Sequence, residues 1–105
     1  MKRGEIWWAE LEPPGGRRPV ALLSRDDAYL VHSLVTIASV TTRVRNTSSE
    51  VALSQKEGLP RACVINLDVI TTIPKNCLHE KFVALNPDKL REVETAICFA
   101  LGLPE

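Results

Sequence analysis

Leu34-Val35-Thr36-Ile37-Ala38-Ser39-Val40-Thr41-Thr42-Arg43-Val44 is the stretch on which the reading of the fold turns. Valine, isoleucine and threonine crowd it, and β-branched side chains suit a pleated strand better than a helix, where they lose rotamer freedom. Successive side chains on a strand point to opposite faces. Ser39, Thr41, Arg43 and, just beyond, Arg45 therefore share one face, while Ala38, Val40 and Val44, interrupted by Thr42, share the other. A polar face beside an aliphatic one is the pattern of an antiparallel sheet that covers a core on one side only.

Working outward, residues 62–73 repeat the pattern, with Asn66, Asp68 and Thr72 on one parity and Ile65, Leu67, Val69 and Ile73 on the other. This run is too long and too β-branched for an ordinary helix, so it reads as one bent strand or two consecutive ones, stopped by Pro74. Residues 4–11 form a first strand on which Trp7 and Trp8 must point opposite ways, so that one enters the core and the other meets a groove, a partner or a second layer. Residues 18–24 form a nearly all-apolar central strand, reached through the Pro13-Pro14-Gly15-Gly16 loop. Residues 26–33 have room for a helical turn, 50–53 and 82–85 make short strands, and 55–60 make an irregular turn.

Asn86-Pro87-Asp88 supplies a cap, a proline at the first helical position and a negative charge in the first turn. Leu90, Val93, Ile97 and Leu101 then recur at helical spacing, predicting one amphipathic helix that ends before Gly102. The class is mainly β with one helix (α+β): about five to seven short antiparallel strands, curled into a small barrel, with the C-terminal helix docked on it.

At 105 residues and 45% hydrophobic composition the chain predicts a single domain, 1–105, small enough that burial against a second copy would add useful stability. Thirteen basic residues balance 13 acidic ones, so any binding of a polyanion must be local. Arg17, Arg18, Arg25, Arg43 and Arg45 all fall in the first half, and a guanidinium contacts phosphate through two nitrogens at once. Cys63, Cys77 and Cys98 are odd in number, far apart and without zinc-ligand spacing, which predicts a reduced, cytoplasmic setting and no metal. Met1-Lys2-Arg3 leads into Gly4-Glu5 rather than an apolar run, so neither a secretion signal nor a membrane span is expected.

Lys2-Arg3-Gly4-Glu5-Ile6-Trp7, Arg17-Arg18-Pro19-Val20 with Ser24 after it, Val40-Thr41-Thr42 and the ending from Ala96 to Leu103 together resemble the MazF/PemK toxins, in order and over nearly the whole chain. The resemblance implies a small SH3-like, CcdB/PemK-like barrel acting as a homodimer and restrained by a cognate antitoxin. It also implies sequence-specific cleavage of single-stranded RNA, chiefly messenger RNA, to 2′,3′-cyclic phosphate and 5′-hydroxyl ends, with no metal or cofactor.

Residue by residue, Arg18 matches the family's catalytic arginine and Thr41 its catalytic threonine or serine. Asp68 matches an acidic position used in some relatives for substrate contact or catalysis, and Asn66 stands where those relatives carry an arginine. Ser39 shares the face of Thr41 and joins it as a candidate, while Arg17, Arg43, Arg45 and Asn66 are candidate RNA contacts. An arginine is a poor base at neutral pH but a strong stabiliser of charge developing on phosphate oxygens. The general base is left open: histidine is the residue type suited to proton transfer near neutral pH, yet His32 and His79 read more simply as surface residues. Two other functions fit the same class. A CcdB-like poison of DNA gyrase would not need Arg18 and Thr41 and would carry a terminal tryptophan segment absent from Leu101 to Glu105; a peptide-binding SH3-like module would want more than 5% aromatic residues.

Overall fold

The computed structural model describes residues 1–105. Six strands, β1 (Glu5–Leu11), β2 (Gly16–Leu22), β3 (Leu34–Thr41), β4 (Glu50–Leu53), β5 (Cys63–Pro74) and β6 (Leu78–Ala84), form one antiparallel, curled sheet. Their order is β4-β5-β3-β2-β1-β6. The all-apolar stretch of β2 is central, as its composition requires. A four-residue helix, α1 (Ala28–Val31), links β2 to β3, and α2 (Pro87–Leu101) closes the chain.

Both faces of the sheet carry apolar clusters, because alternate residues of the central strands go opposite ways. Ile6, Ala21, Ala38, Val40 and Ile65 pack on one side under Val93 and Ala96 of α2. Ala9, Val20, Leu22, Val35 and Ile37 pack on the other with Tyr29 of α1. Helix α2 starts where its caps say it should: the Asn86 side chain accepts from the Lys89 backbone N–H at 2.8 Å, and Gly102, at φ +67°, takes the left-handed conformation that ends it. Gly4 lets the helix come close, since a Cβ there would stand 2.9 Å from Leu90.

Several sequence expectations are corrected. The third strand stops at Thr41 rather than at residue 44, because Thr41 pairs with Val64 near the start of β5 and the Thr41 hydroxyl takes up the Arg43 N–H at 3.1 Å, turning the chain away. Arg43 and Arg45 are thus on the loop after the strand and not on its face. Val35 and Ile37 share the parity of Ser39 but are fully buried in the second cluster, so the polar face is confined to the strand's end. The long β5 is one bent strand: its partner changes from Ile70 opposite Ala38 to Asn66 opposite Ser39, leaving residues 67–69 as a bulge. Strand β2 begins at Gly16, opposite Leu11, and β6 starts at Leu78 rather than residue 82, both through pairing with β1. Leu101 is not covered by the helix docking and stays 58% exposed.

Candidate functional site

The candidate site lies at the ends of β2 and β3. Val20 pairs with Ser39, and Ser39 pairs with Asn66 of β5, so these three side chains point to one side of the sheet. Carrying the β2–β3 register two residues toward the strand ends sets Arg18 level with Thr41 on that same side. Arg18, Ser39, Thr41, Arg43, Arg45 and Asn66 line a polar recess of about 220 Å³. Arg18 and Thr41 also line a second recess of about 380 Å³ around the strand ends, walled by Trp8, Pro19, Val40, Leu59, Cys63 and Phe82. The two residues are therefore the shared wall between a cationic space and an apolar one.

Local bonding leaves the working ends of these groups free. The Arg18 Nε–H donates to the Gly15 carbonyl at 2.7 Å, which fixes the guanidinium by one edge and leaves its two Nη groups unpaired. Thr41 Oγ1 accepts from Arg43, so its own O–H remains available as a donor. The Asn66 Oδ1 accepts from the Asp68 N–H at 2.9 Å, leaving the amide's N–H groups toward the recess. Glu50 accepts from the backbone N–H groups of Arg45 and Asn46 at 3.0 and 2.8 Å, which holds the arginine-bearing loop without neutralising either guanidinium.

Of eight arginines, Arg3, Arg25 and Arg91 are ion-paired with Glu94, Asp27 and Asp88. The other five, Arg17, Arg18, Arg43, Arg45 and Arg61, have no carboxylate partner. Four of them line the two recesses, and Arg17 stacks over Trp8 with 4.9 Å between its guanidinium carbon and the ring centroid. Cationic charge is concentrated here although the chain has no net charge.

The structure thus brings together Arg18, Ser39, Thr41, Arg43, Arg45 and Asn66, and sets Arg17 beside them. It does not bring in Asp68, whose carboxylate accepts a short hydrogen bond from the buried Ser49 hydroxyl outside both recesses. Arg25 and His32 lie together elsewhere, in a groove of about 630 Å³ between α1 and α2, and His79 is exposed on β6. No histidine lines either recess at the β2 and β3 ends. The tryptophans are both half-buried: Trp7 packs on the second cluster and donates to Glu5 at 2.9 Å, and Trp8 faces the apolar recess.

Sequence reading missed Arg61 and Phe82. Arg61 follows a turn built by the Ser54–Glu57 capping box and closed by Gly58 at φ +91°, and only the tertiary fold carries that loop over the strand ends. Burial pushes the Cys63 thiol's pKa up, aided by Glu57, so it stays an uncharged wall of the recess. No cluster of three or more His, Cys, Asp or Glu side chains able to hold a metal ion is present, and no helix is long and apolar enough to cross a membrane.

Comparison with known proteins bears on the fold and the family. Residues 2–101 match the family described as PemK-like, MazF-like toxin of type II toxin-antitoxin system. The probable endoribonuclease MazF2 of Mycobacterium tuberculosis is 39% identical over 94 residues, covering 88% of this chain and 89% of that protein. The solved M. tuberculosis toxin MazF-mt6 superimposes with a TM-score of 0.88 at 30% identity, over 96% of this chain and 99% of that one. A mycobacterial endoribonuclease in complex with its cognate antitoxin superimposes with a TM-score of 0.87 at 27% identity, over 100% of this chain and 98% of that one. A curled six-stranded antiparallel sheet closed by a C-terminal helix, with an arginine and a threonine meeting at its strand ends, thus coincides with a match over nearly the full length, and the chain belongs to the PemK-like, MazF-like toxins of type II toxin-antitoxin systems.

Proposed function

We propose that this toxin is a sequence-specific endoribonuclease that cuts single-stranded RNA, chiefly messenger RNA, in the cytoplasm, and that residues 1–105 work as one domain within a homodimer. The observation that carries the reading is the gathering of five arginines without carboxylate partners, Arg18 among them, around the two recesses that Arg18 and Thr41 share. A polyanionic substrate supplies the charge that those groups lack.

In the proposed reaction the ribose 2′-hydroxyl attacks the adjacent phosphorus and the bond from phosphorus to the 5′-oxygen breaks. The 2′-hydroxyl proton leaves to a base, the 5′-oxygen gains a proton, and the products are a 2′,3′-cyclic phosphate and a 5′-hydroxyl. The unpaired Nη groups of Arg18 stabilise the equatorial phosphate oxygens as they gain charge, and the Thr41 hydroxyl donates to the same phosphate. Ser39 adds a donor on the same face; Arg17, Arg43, Arg45 and Asn66 position the strand through its phosphates and sugars. Asp68, held by Ser49, acts as a positioning residue behind Asn66. These donors do what a metal would otherwise do, so cleavage is expected to survive EDTA; strict dependence on added magnesium would count against the scheme.

Exposed apolar side chains, Leu34 and Leu101 lining the groove between α1 and α2 with Leu30 and Val31 on α1 itself, support the homodimer. The antitoxin is proposed to present an acidic or amphipathic segment that competes with RNA for the five free arginines. The gyrase-poison alternative leaves those arginines without a role. Mapping of 5′-hydroxyl ends on a long RNA tests the proposal: Arg18→Ala and Thr41→Ala should each abolish most cuts while the fold is retained, and full activity in both would remove the site.

A further inference from the structure

Resting on the endoribonuclease reading, we propose that the apolar recess beside Arg18 and Thr41 is a nucleobase subsite. It would hold the base of a nucleotide next to the scissile phosphate, and Arg61 and Phe82 would set the sequence preference on that side of the cut.

The recess and the polar space share only Arg18 and Thr41, so a phosphate seated between them lies within one nucleotide of both. The polar space offers arginines and amide donors, which suit a sugar-phosphate backbone. The other offers Trp8, Leu59 and Phe82 with Pro19, which suit a flat apolar ring. At about 380 Å³ it falls at the small end of the range for small-molecule pockets, room for one base and not for an extended peptide.

Trp8 and Phe82 stand edge to face, with centroids 5.8 Å apart and planes at 71°, so a ring entering here can stack on one and meet the edge of the other. Arg17 stacks over Trp8 at 4.9 Å, which favours the position in which the indole walls the recess. Single-stranded RNA is the form whose bases can be splayed out to enter such a recess, and stacking on aromatic side chains is how they are held.

Stacking accepts any base, so selectivity needs a polar group at the mouth. Arg61 is exposed there and has no carboxylate partner, and an arginine offers only donors. It would favour a base edge presenting carbonyl or ring-nitrogen acceptors over one presenting an amino group. Cys63, kept protonated by burial, adds no competing charge.

The test is cleavage of a random-sequence RNA pool by wild type, Arg61→Ala, Phe82→Leu and Arg43→Ala, with every 5′-hydroxyl end sequenced. Arg61→Ala should flatten the preference at one position flanking the cut by about tenfold, and Phe82→Leu should weaken it at the same position. Arg43→Ala should slow all sites alike. A second measurement does not depend on variant folding: a wild-type substrate made abasic at that one position should lose about tenfold in kcat/KM, against a lesser loss when the abasic site lies further away. Unchanged preference in both Arg61→Ala and Phe82→Leu, or indifference to the abasic position, would overturn the subsite and leave the recess to a protein side chain. Failure of the wild type to cut any RNA would refute the endoribonuclease reading itself, which separates the two outcomes.

Discussion

The two sides of this small sheet handle arginine in opposite ways. In the groove between α1 and α2, Arg3 and Arg25 are closed into pairs with Glu94 and Asp27. At the ends of β2 and β3, Arg18, Arg43, Arg45 and Arg61 stand together with no acid among the residues that line the recesses. Exposed ion pairs add about 0–1 kcal/mol to stability, so the first arrangement is nearly neutral for folding. Clustering like charges without acids is unfavourable in the isolated protein, and a ligand that brings phosphate relieves it. Net charge alone hides this division, because it sums to zero over the whole chain.

Exchanging the two classes of arginine is the strongest test of the comparison. Arg18→Ala should lower RNA cleavage by about 10²–10³, the usual size for removing one preorganised donor from a charge-stabilising site. Arg25→Ala should change it less than about twofold, since its guanidinium is engaged by Asp27 and by His32 away from the recesses. Equal losses in the two variants, measured as initial rates on one oligonucleotide, would erase the distinction.

How much of this could be seen in the sequence depends on how local each cause is. The caps of α2 were legible because Asn86, Pro87 and Gly102 act within one turn of themselves. The meeting of Arg18 and Thr41 was legible partly from strand parity and partly from the resemblance of the surrounding motifs. Asp68 was misplaced because parity fails at a bulge: residues 67–69 slip out of register with β3, and the side chain turns to Ser49. The first half of β6, Leu78 to Lys81, carries no strand signature of its own and is ordered only by pairing with β1. Arg61 was invisible for the same reason, since a loop residue's position over a distant strand end is a property of the assembled sheet.

The apolar groove sharpens the comparison from the other side. If the paired-arginine face is where two copies meet, Leu34→Glu or Leu101→Glu should weaken self-association by about thirtyfold, the effect of losing a central contact worth about 2 kcal/mol. Both residues are well exposed, at 55% and 58%, so neither change should unfold the chain. Sedimentation at several concentrations reads the outcome, and a monomer in the unaltered protein would refute this use of the groove.

A smaller effect separates positioning arginines from Arg18. Arg45→Ala should reduce the slope of log affinity against log salt by about 0.7, the contribution of one phosphate contact on a single strand. Affinity would fall evenly across RNA sequences. No change of slope would move Arg45 out of the contact set.

The smallest predicted effect concerns the one buried acid, Glu5, which lies on β1 next to the first tryptophan. Burial alone would raise its pKa, but the Trp7 indole N–H at 2.9 Å, the Lys2 N–H at 3.2 Å and Lys81 at 3.3 Å outweigh burial and hold it below the ordinary carboxylate value. A carboxylate with a depressed folded pKa stabilises the protein above its unfolded pKa and loses that contribution as pH falls through the folded value. Glu5→Gln keeps an acceptor for Trp7 and Lys2 but has no charge for Lys81, whose side chain is 49% exposed and so screened by solvent. The variant should therefore be less stable than wild type by about 1 kcal/mol or less at neutral pH, with the gap closing in acid. Urea titrations at a series of pH values measure this, and a gap that stays constant to acid pH would mean that hydrogen-bond geometry, not charge, is what Glu5 supplies.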